Sequence, residues 1–273
     1  MPEQKVVVVT GASSGIGAAS ARLLAQNGYQ VFGGARDSRR ANPIPGVKFG
    51  TVDVTDEQSV AKFVEWVLSE AGRIDVLINN AGVSLLGPIE NTAIPEAALV
   101  FDTNVFGPLR MIRAVLPSMR AARSGLIINV SSVLGFLPAP FMGIYASSKH
   151  ALEGLSESLD HEIREFNVRV VLLEPTFTNT KLDLNAAHTE APLGVYTAQV
   201  EATIEAVQDQ IKSAPSPQIV AEKIRAVIES PYRLRQPVGG QATLLSRLRR
   251  FMPAGAVDRS LRKTFGFSKN RSS

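Results

Sequence analysis

Short apolar runs alternate along the chain with longer stretches in which apolar residues recur at helical spacing. The runs predict strands at Lys5–Thr10, Tyr29–Ala35, Val47–Val52, Val76–Asn79, Leu126–Val130 and Val168–Leu173. The stretches between and after them predict helices at Ile16–Asn27, Asp56–Ala71, Asn104–Ala122, Tyr145–Phe166 and Ile219–Glu229. Strands that are apolar throughout indicate a parallel sheet with helices on both faces. We therefore predict an α/β fold built on one doubly wound parallel sheet.

Local signals mark the ends of the first two predicted helices. Gly28 and Gly72 follow their last residues, and glycine readily takes the left-handed conformation that closes a helix. Thr55, with Gln58 three residues later, predicts a capping box at the start of the second helix.

Composition is typical of a globular enzyme and argues against several kinds of site. Of 273 residues, 45% are hydrophobic and 20% are charged, and we expect residues 1–273 to form a single domain. The chain has no Cys and its three His are scattered, which argues against disulfides, thiolate nucleophiles and metal sites. No apolar run approaches about 20 residues, and no secretory-signal pattern opens the sequence, so we expect a cytoplasmic location.

Charge is uneven along the chain. After Ser230, ten Lys or Arg face a single acid, Asp258, so the C-terminal extension of about residues 241–273 is basic. The segment from Leu244 to Phe251 predicts an amphipathic helix, and we expect Leu244, Leu248 and Phe251 to pack on the body of the protein or on a sister subunit. A membrane surface is the alternative partner, and we expect no binding to nucleic acid.

A glycine-rich loop joins the first strand to the first helix. It reads Thr10-Gly11-Ala12-Ser13-Ser14-Gly15-Ile16-Gly17, a Gly-x3-Gly-x-Gly spacing. Its glycines would let the backbone turn tightly and approach a pyrophosphate at the helix N-terminus. A tight turn without a ligand is the alternative, but the strand before the loop and the helix after it favour a dinucleotide.

Tyr145 and Lys149 lie four residues apart on a predicted helix, so they share one face and can point into one cleft. A free phenol titrates near pH ~10, and a neighbouring positive charge favours its ionised form. Such a phenol can protonate a carbonyl oxygen or deprotonate an alcohol. On its own, the spacing also describes an ordinary exposed helix pair.

Taken together, these motifs resemble the short-chain dehydrogenase/reductase family over about residues 5–240. In that family a Thr-Gly-x3-Gly-x-Gly loop, an Asn-Asn-Ala-Gly motif, a helix Asn, a Ser and a Tyr-x3-Lys pair occur in this order. The matching residues here are Thr10–Gly17, Asn79–Gly82, Asn104, Ser132, Tyr145 and Lys149. The resemblance implies a Rossmann-type sheet and an oxidoreductase that transfers a hydride between a nicotinamide dinucleotide and a ketone or secondary alcohol.

The resemblance also implies a role for each catalytic candidate. Tyr145 would be the general acid/base, and Ser132 would orient the substrate oxygen, with Ser131 as the competing assignment. Lys149 would bind the nicotinamide ribose as well. Asn104 would hold a water that connects Lys149 to solvent, with a plain helix N-cap as the alternative.

Cofactor contacts are implied along the same edge of the sheet. They are Gly11, Ser13, Ser14, Gly15, Ile16, Gly17, Arg36, Asp53, Val54, Asn80, Ala81, Gly82, Tyr145, Lys149, Pro175, Thr176, Thr178 and Thr180. Asp53 matches the position that meets the adenine amine, whereas Asn80–Gly82 could also be a purely structural turn. The family usually has Pro-Gly where this chain has Pro175-Thr176, and the Cβ of Thr176 would alter the geometry of that loop.

The choice between NADP and NAD depends on the end of the second strand. Ala35 occupies the strand-end position and Arg36 follows it, which resembles NADP-preferring members, so we expect NADP as the preferred cofactor. Asp37, about 20 residues beyond Gly17, is the alternative, because an acid there would bind the ribose of NAD.

The segment of about residues 180–212 is expected to cover the substrate. Apolar residues there and nearby predict a pocket for a hydrophobic ketone or alcohol; they are Phe136, Leu137, Phe141, Phe177, Leu182, Leu184, Leu193, Val195 and Tyr196. We expect a homodimer or homotetramer. The alternative function is a non-catalytic, dinucleotide-sensing regulatory protein, which would be expected to lose Tyr145 or Lys149.

Overall fold

In the computed structural model the described residues are 4–180, 182, 187–188, 194–249 and 251–265. Within them, a parallel sheet has the strand order β3-β2-β1-β4-β6-β7-β9, and a small second sheet pairs β5 with β8. The strands are β1 (Val6–Thr10), β2 (Gln30–Ala35), β3 (Val47–Thr51), β4 (Val76–Asn79), β5 (Leu85–Leu86), β6 (Gly125–Val130), β7 (Val168–Pro175), β8 (Ala187–His188) and β9 (Arg235–Val238). The predicted doubly wound sheet is confirmed.

Helices cover both faces of this sheet. They are α1 (Gly15–Gln26), α2 (Glu57–Ala71), α3 (Ile94–Phe101), α4 (Gly107–Ala122), α5 (Gly143–Ile163), α6 (Thr197–Ser213), α7 (Gln218–Glu229), α8 (Gly239–Arg249) and α9 (Ala254–Thr264). None of the helices in the described part of the chain is both long enough and apolar enough to cross a bilayer.

Alternation along β1 shows why uniformly apolar strands suit this architecture. Successive side chains of a strand point to opposite faces. Val6 and Val8 therefore join the core beneath α2, α4 and α5, whereas Val7 and Val9 join the core beneath α1 and α7. The strand order reverses direction between β1 and β4, and in such sheets ligands bind outside the carboxyl ends of the strands at that point.

Several elements differ from their predicted bounds. The strand β9 was not predicted, because Arg235-Gln236-Pro237-Val238 has no apolar run; proline is tolerated there because β9 is an edge strand.

The predicted capping box at Thr55, at the start of α2, is wrong. The helix begins at Glu57, and the Asp56 carboxylate caps it by accepting hydrogen bonds from the backbone N–H groups of Gln58 and Ser59. The predicted stop at Gly72 is confirmed, with φ 73°.

The predicted packing of Leu244, Leu248 and Phe251 on the body of the protein is wrong, whereas their packing on a sister subunit stays a prediction. Leu244, Leu248 and Phe251 are 56%, 40% and 81% exposed. The buried side of α8 is set by Ala242 and Leu245, which pack with α9 on a third core that also contains Tyr145. The sequence pattern misassigned the face because apolar residues occur on both sides of α8, with Leu245 on the packed side and Leu244 and Leu248 on the exposed side.

Candidate active site

A cleft opens at the carboxyl edge of the sheet, beside the point where the strand order reverses. It holds about 680 Å³ of space in contact with solvent. Its walls come from the start of α1, the turn after β4, the ends of β6 and β7 and the first turns of α5. The lining residues are Ile16, Asn80, Gly82, Val130, Ser131, Ser132, Val133, Leu134, Met142, Tyr145, Lys149, Pro175, Thr176, Phe177, Thr178, Thr180 and Leu182.

The glycine-rich loop has the backbone that its sequence predicts. Gly11 and Gly15 have φ values of 65° and 54°, which side-chain-bearing residues rarely adopt. A Cβ on Gly17 would overlap the carbonyl oxygen of Gly11. The first turn of α1 carries no acidic residue and its N-cap, Ser14, makes no side-chain capping bond. The positive end of the helix dipole is therefore uncompensated, so the loop fits a pyrophosphate.

The turn Asn80–Gly82 holds this loop from behind. The Thr10 hydroxyl oxygen accepts hydrogen bonds from the backbone N–H groups of Asn80 and Ala81, both at 3.0 Å. In return, the Asn80 side-chain amide donates to the Thr10 carbonyl at 2.9 Å. Asn80 and Ala81 therefore brace the glycine-rich loop, while Asn80 and Gly82 also line the cleft, so the cofactor contacts at Asn80–Gly82 stay a prediction.

Tyr145 and Lys149 project from the first two turns of α5 into the cleft. Each is 6% exposed, which excludes the alternative of an exposed helix pair. The Lys149 ammonium donates a hydrogen bond to the Val130 carbonyl at 2.9 Å and lies 5.7 Å from the centre of the Tyr145 ring. The end of β6 therefore fixes the ammonium beside the phenol.

The two serines after β6 face different surroundings. The Ser132 hydroxyl oxygen accepts a hydrogen bond from the backbone N–H of Leu134 at 3.1 Å, so its own hydrogen can be donated elsewhere. Ser131 lies against Gly135, where an added Cβ would be 2.7 Å from Ser131 Oγ and 2.8 Å from Glu153 Oε1. Ser131 is thus turned towards a carboxylate, which favours Ser132 as the substrate contact.

Asn104 lies in a π-helical turn, Asp102–Phe106, that joins α3 to α4. The predicted helix start at Asn104 is wrong, and so is the N-cap alternative, since helix precedes this turn. Its side-chain oxygen accepts from the Val83 N–H at 2.9 Å, and its amide nitrogen donates to the Val83 carbonyl and to Ser148 Oγ. Ser148 Oγ donates to the Tyr145 carbonyl at 2.7 Å. Asn104 therefore braces α5, and its side chain keeps one lone pair of Oδ1 for a water.

The adenosine end of the predicted site lies beyond β2 and β3. Arg36 is exposed directly after β2. The Asp37 carboxylate caps a turn by accepting from the Arg39 N–H at 3.1 Å, and it pairs with the guanidinium groups of Arg39 and Arg40. Hydrogen bonds from the Thr55 hydroxyl and N–H lower the pKa of Asp53. The next residue, Val54, is buried, and its side chain lies close to Gly107.

The loop after β7 closes the other side of the cleft. The strand runs on to Pro175, and Thr178 Oγ1 donates to the Thr176 carbonyl at 3.2 Å. A Cβ on Gly15 would lie 3.4 Å from the Thr180 side chain, so this loop meets the glycine-rich loop. Of the predicted pocket residues, Phe177 and Leu182 line the cleft, Val195 is 75% exposed, and Leu184 and Leu193 lie outside the described residues.

A chain of buried side-chain hydrogen bonds beneath the site was not predicted from the sequence. The Asn79 amide donates to Asn129 Oδ1 at 2.8 Å, and the Asn129 amide donates to Ser156 Oγ at 2.8 Å. These contacts join β4, β6 and α5. The sequence does carry a signal for these contacts. Asn79 ends one apolar strand and Asn129 is the second-last residue of another, and a buried amide needs hydrogen-bond partners.

Comparison with known proteins agrees with this geometry. The short chain dehydrogenase family model matches residues 5–191. The chain is 43% identical over 178 residues to a 3-ketodihydrosphingosine reductase from Bacteroides thetaiotaomicron, covering 65% of each protein and so less than two thirds of that relative. It is 38% identical over 183 residues to retinol dehydrogenase 8 of Homo sapiens, covering 63% of this chain and 58% of that one. An uncharacterized oxidoreductase of Bacillus subtilis is 34% identical over 277 residues, with 95% and 98% covered.

Solved structures match nearly the whole chain. A short-chain dehydrogenase from Streptomyces avermitilis has a TM-score of 0.82 at 31% identity, covering 98% of this chain and 100% of that one. A Burkholderia cenocepacia enzyme in complex with NADP has a TM-score of 0.77 at 26% identity, covering 95% and 98%. A Burkholderia phymatum enzyme in complex with NAD has a TM-score of 0.78 at 27% identity, covering 99% and 97%. By sequence and by fold, this chain belongs to the short-chain dehydrogenase/reductase family of oxidoreductases.

Proposed function

We propose that this protein interconverts a hydrophobic ketone and the corresponding secondary alcohol, with NADP(H) as the hydride carrier. The observation that carries this proposal is the convergence of Ser132, Tyr145 and Lys149 on one cleft, beside a glycine-rich loop shaped for a pyrophosphate. A bound nicotinamide would supply or accept the hydride. Family relatives that were crystallised with NADP or NAD support a dinucleotide at this site.

Three side chains, Ser132, Tyr145 and Lys149, would carry out the proton transfer. Ser132 would donate its hydroxyl hydrogen to the substrate oxygen and orient it. Tyr145 would give a proton to that oxygen during reduction and take it back during oxidation. The Lys149 ammonium, held beside the ring by the Val130 carbonyl, would favour the ionised phenol electrostatically.

The surroundings of Arg36 and Asp37 support NADP over NAD. Asp37 already caps the turn that follows β2 and pairs with two arginines, which leaves its carboxylate poorly suited to accept from a ribose hydroxyl. Arg36 is exposed at the strand end, where its guanidinium fork could bind a 2′-phosphate.

The cleft walls support a hydrophobic substrate. Beyond the catalytic side chains, its lining is mainly apolar; the apolar residues include Val133, Leu134, Met142, Phe177 and Leu182. Two relatives are named for 3-ketodihydrosphingosine and for retinol, which both carry long apolar chains. We therefore propose a long-chain carbonyl or alcohol as the substrate class.

The experiment is a panel of ketones and secondary alcohols, followed by absorbance at the nicotinamide band with both cofactors. Long-chain members should turn over faster than short polar ones, and NADP(H) should be preferred. Tyr145→Phe serves as the control for background reduction. Tight dinucleotide binding with no turnover on any member would instead support the sensing function.

We further propose a cytoplasmic homodimer or homotetramer. The exposed apolar side chains of Leu99, Phe106, Leu244 and Phe251 are surfaces that a sister subunit could cover. Light scattering during size-exclusion chromatography measures the mass directly. Salt-sensitive flotation with anionic vesicles would point to the membrane alternative for the α8 surface.

A further inference from the structure

A cluster of charges, two of them on buried carboxylates, lies behind the cleft. Arg235 at the start of β9 reaches Glu153 on α5, Glu174 on β7 and Glu157 one turn further along α5, and we call these four residues the Arg235 cluster. Its Nη1 pairs with Glu153 Oε2 and lies 2.6 Å from Glu174 Oε1, while its Nη2 lies 2.8 Å from Glu157 Oε1. The side chains of Glu153 and Glu174 are 5% and 1% exposed, whereas that of Arg235 is 40% exposed.

The cluster touches both walls of the proposed active site. Glu153 lies one turn after Lys149 on the helix that carries the catalytic pair. Glu174 immediately precedes Pro175, where the loop that faces the cofactor begins. Glu153 also adjoins Ser131 in the cleft wall, because both side chains close in on Gly135. A single guanidinium therefore joins α5 to the end of β7.

The balance of charge makes this guanidinium hard to replace. Two buried carboxylates face one another across it, and a buried charge that loses its partner is strongly destabilising. Burial and the neighbouring Glu153 raise the pKa of Glu174 to about 7. Without Arg235, Glu153 and Glu174 would repel each other at any pH where both are ionised, and this repulsion would push α5 away from the loop after β7. Glu157 is a third carboxylate, so it could not replace the positive charge of Arg235.

We propose that Arg235 is a positioning residue, which sets the distance between Tyr145 on α5 and the cofactor loop by pairing with Glu153 and Glu174 together. This inference rests on the proposed function of the cleft. The charged groups that face Arg235 are Glu153 and Glu157 from α5 and Glu174 from β7. Ser131 contributes the adjoining hydroxyl from the end of β6.

The test begins with Arg235→Met, which keeps much of the side-chain length and removes the charge. We expect kcat to fall at least tenfold, with a loss that grows as the pH rises beyond about 7, because repulsion requires both carboxylates to be ionised and removal of the guanidinium raises the pKa of Glu174 further. The dissociation constant of NADPH, measured by fluorescence, should rise as the cofactor loop moves. Arg113→Met removes an exposed ion pair with Glu57 and should change neither quantity.

A second variant separates positioning from simple loss of stability. Adding Glu174→Gln to Arg235→Met removes the repulsion, so kcat should return to within about threefold of wild type and the pH dependence should disappear. The same double variant keeps the test valid if Arg235→Met alone does not fold. A folded Arg235→Met protein with wild-type kcat at every pH would overturn the inference, as would a loss that Glu174→Gln does not relieve. If no carbonyl is turned over, the proposed function fails. The effect of Arg235→Met on NADPH affinity would still test the inference.

Discussion

The proposed chemistry depends on Tyr145, because its phenol is the acidic group that lies beside the Lys149 ammonium in the cleft. Tyr145→Phe removes the phenolic proton and leaves the ring nearly unchanged in volume. We expect turnover to fall at least a hundredfold, since positioned proton transfer contributes roughly 10²–10⁴ in rate. Steady-state kinetics at saturating cofactor measures this. Cofactor affinity should barely change, and retention of more than about a tenth of wild-type turnover would show that another group moves the proton.

Arg36 carries the proposed preference for NADP. A guanidinium matches a phosphate with two parallel hydrogen bonds, and hydrogen bonds to charged groups contribute about 1.5–3 kcal/mol net. Arg36→Ala should therefore lower kcat/KM with NADP by roughly tenfold to a hundredfold and leave kcat/KM with NAD almost unchanged. The matched control is Arg39→Ala, whose side chain is 90% exposed and pairs with Asp37. A tenfold preference of the wild type for NAD would refute the role given to Arg36.

Residues that act through local spacing could be predicted, and residues that act through long-range contacts could not. Tyr145 and Lys149 share a face because they are four positions apart on one helix. Arg235, by contrast, meets Glu153 and Glu174 across separations of 82 and 61 residues. No periodicity in the sequence records such a contact, since it depends on β9 pairing with β7 at the sheet edge.

At the scale of elements, the sequence pattern predicted the strands and helices whose apolar residues are buried at regular positions. The central strands were found because both of their faces are covered, whereas β9 was missed because it lies at the edge and needs few apolar residues. The helix α3 was missed because its apolar residues do not form one stripe; Ile94 and Leu99 are exposed while Val100 is buried. The face of α8 was misassigned because the helix carries apolar residues on both sides, Leu245 on the packed side and Leu244 and Leu248 on the exposed side.

The observed face of α8 leads to a prediction with a matched pair of variants. Leu245 packs against the third core with Val257 and Leu261, while its neighbour Leu244 is 56% exposed. Leu245→Ala should lower the free energy of unfolding by about 1–2 kcal/mol, because it removes partly buried methyl groups that pack on the third core. Leu244→Ala should change it by less than about 0.5 kcal/mol. Urea denaturation compares the two, and equal losses would mean that the helix is rotated from its position in this structure.

For the molecule as a whole, buried charge links stability to pH. Asp160 lies buried where α5 approaches β7, and two arginines contact it. Although burial alone would raise its pKa, hydrogen bonds from Arg169 and the Val170 N–H lower it overall. A lowered carboxyl pKa stabilises the fold above the unfolded-state value and ceases to do so in acid. Glu174 has the opposite sign, so the two groups favour the folded state in different pH ranges.

The variant Glu174→Gln isolates the contribution of Glu174 to the pH dependence of stability. Burial raises the pKa of Glu174 from 4.5 to about 7, so the folded protein binds a proton that the unfolded chain releases at lower pH. This contribution is fully present below pH 4.5 and is lost as the pH rises to about 7. Glutamine resembles the protonated acid and does not titrate. The variant should therefore match the wild type in acid and become more stable than it, by on the order of 2–3 kcal/mol, near pH 8. Urea denaturation of both proteins across this range measures the difference, in which the titration of Asp160 cancels. A difference that stays flat, or that favours the wild type as the pH rises, would show that Arg235 holds Glu174 ionised throughout.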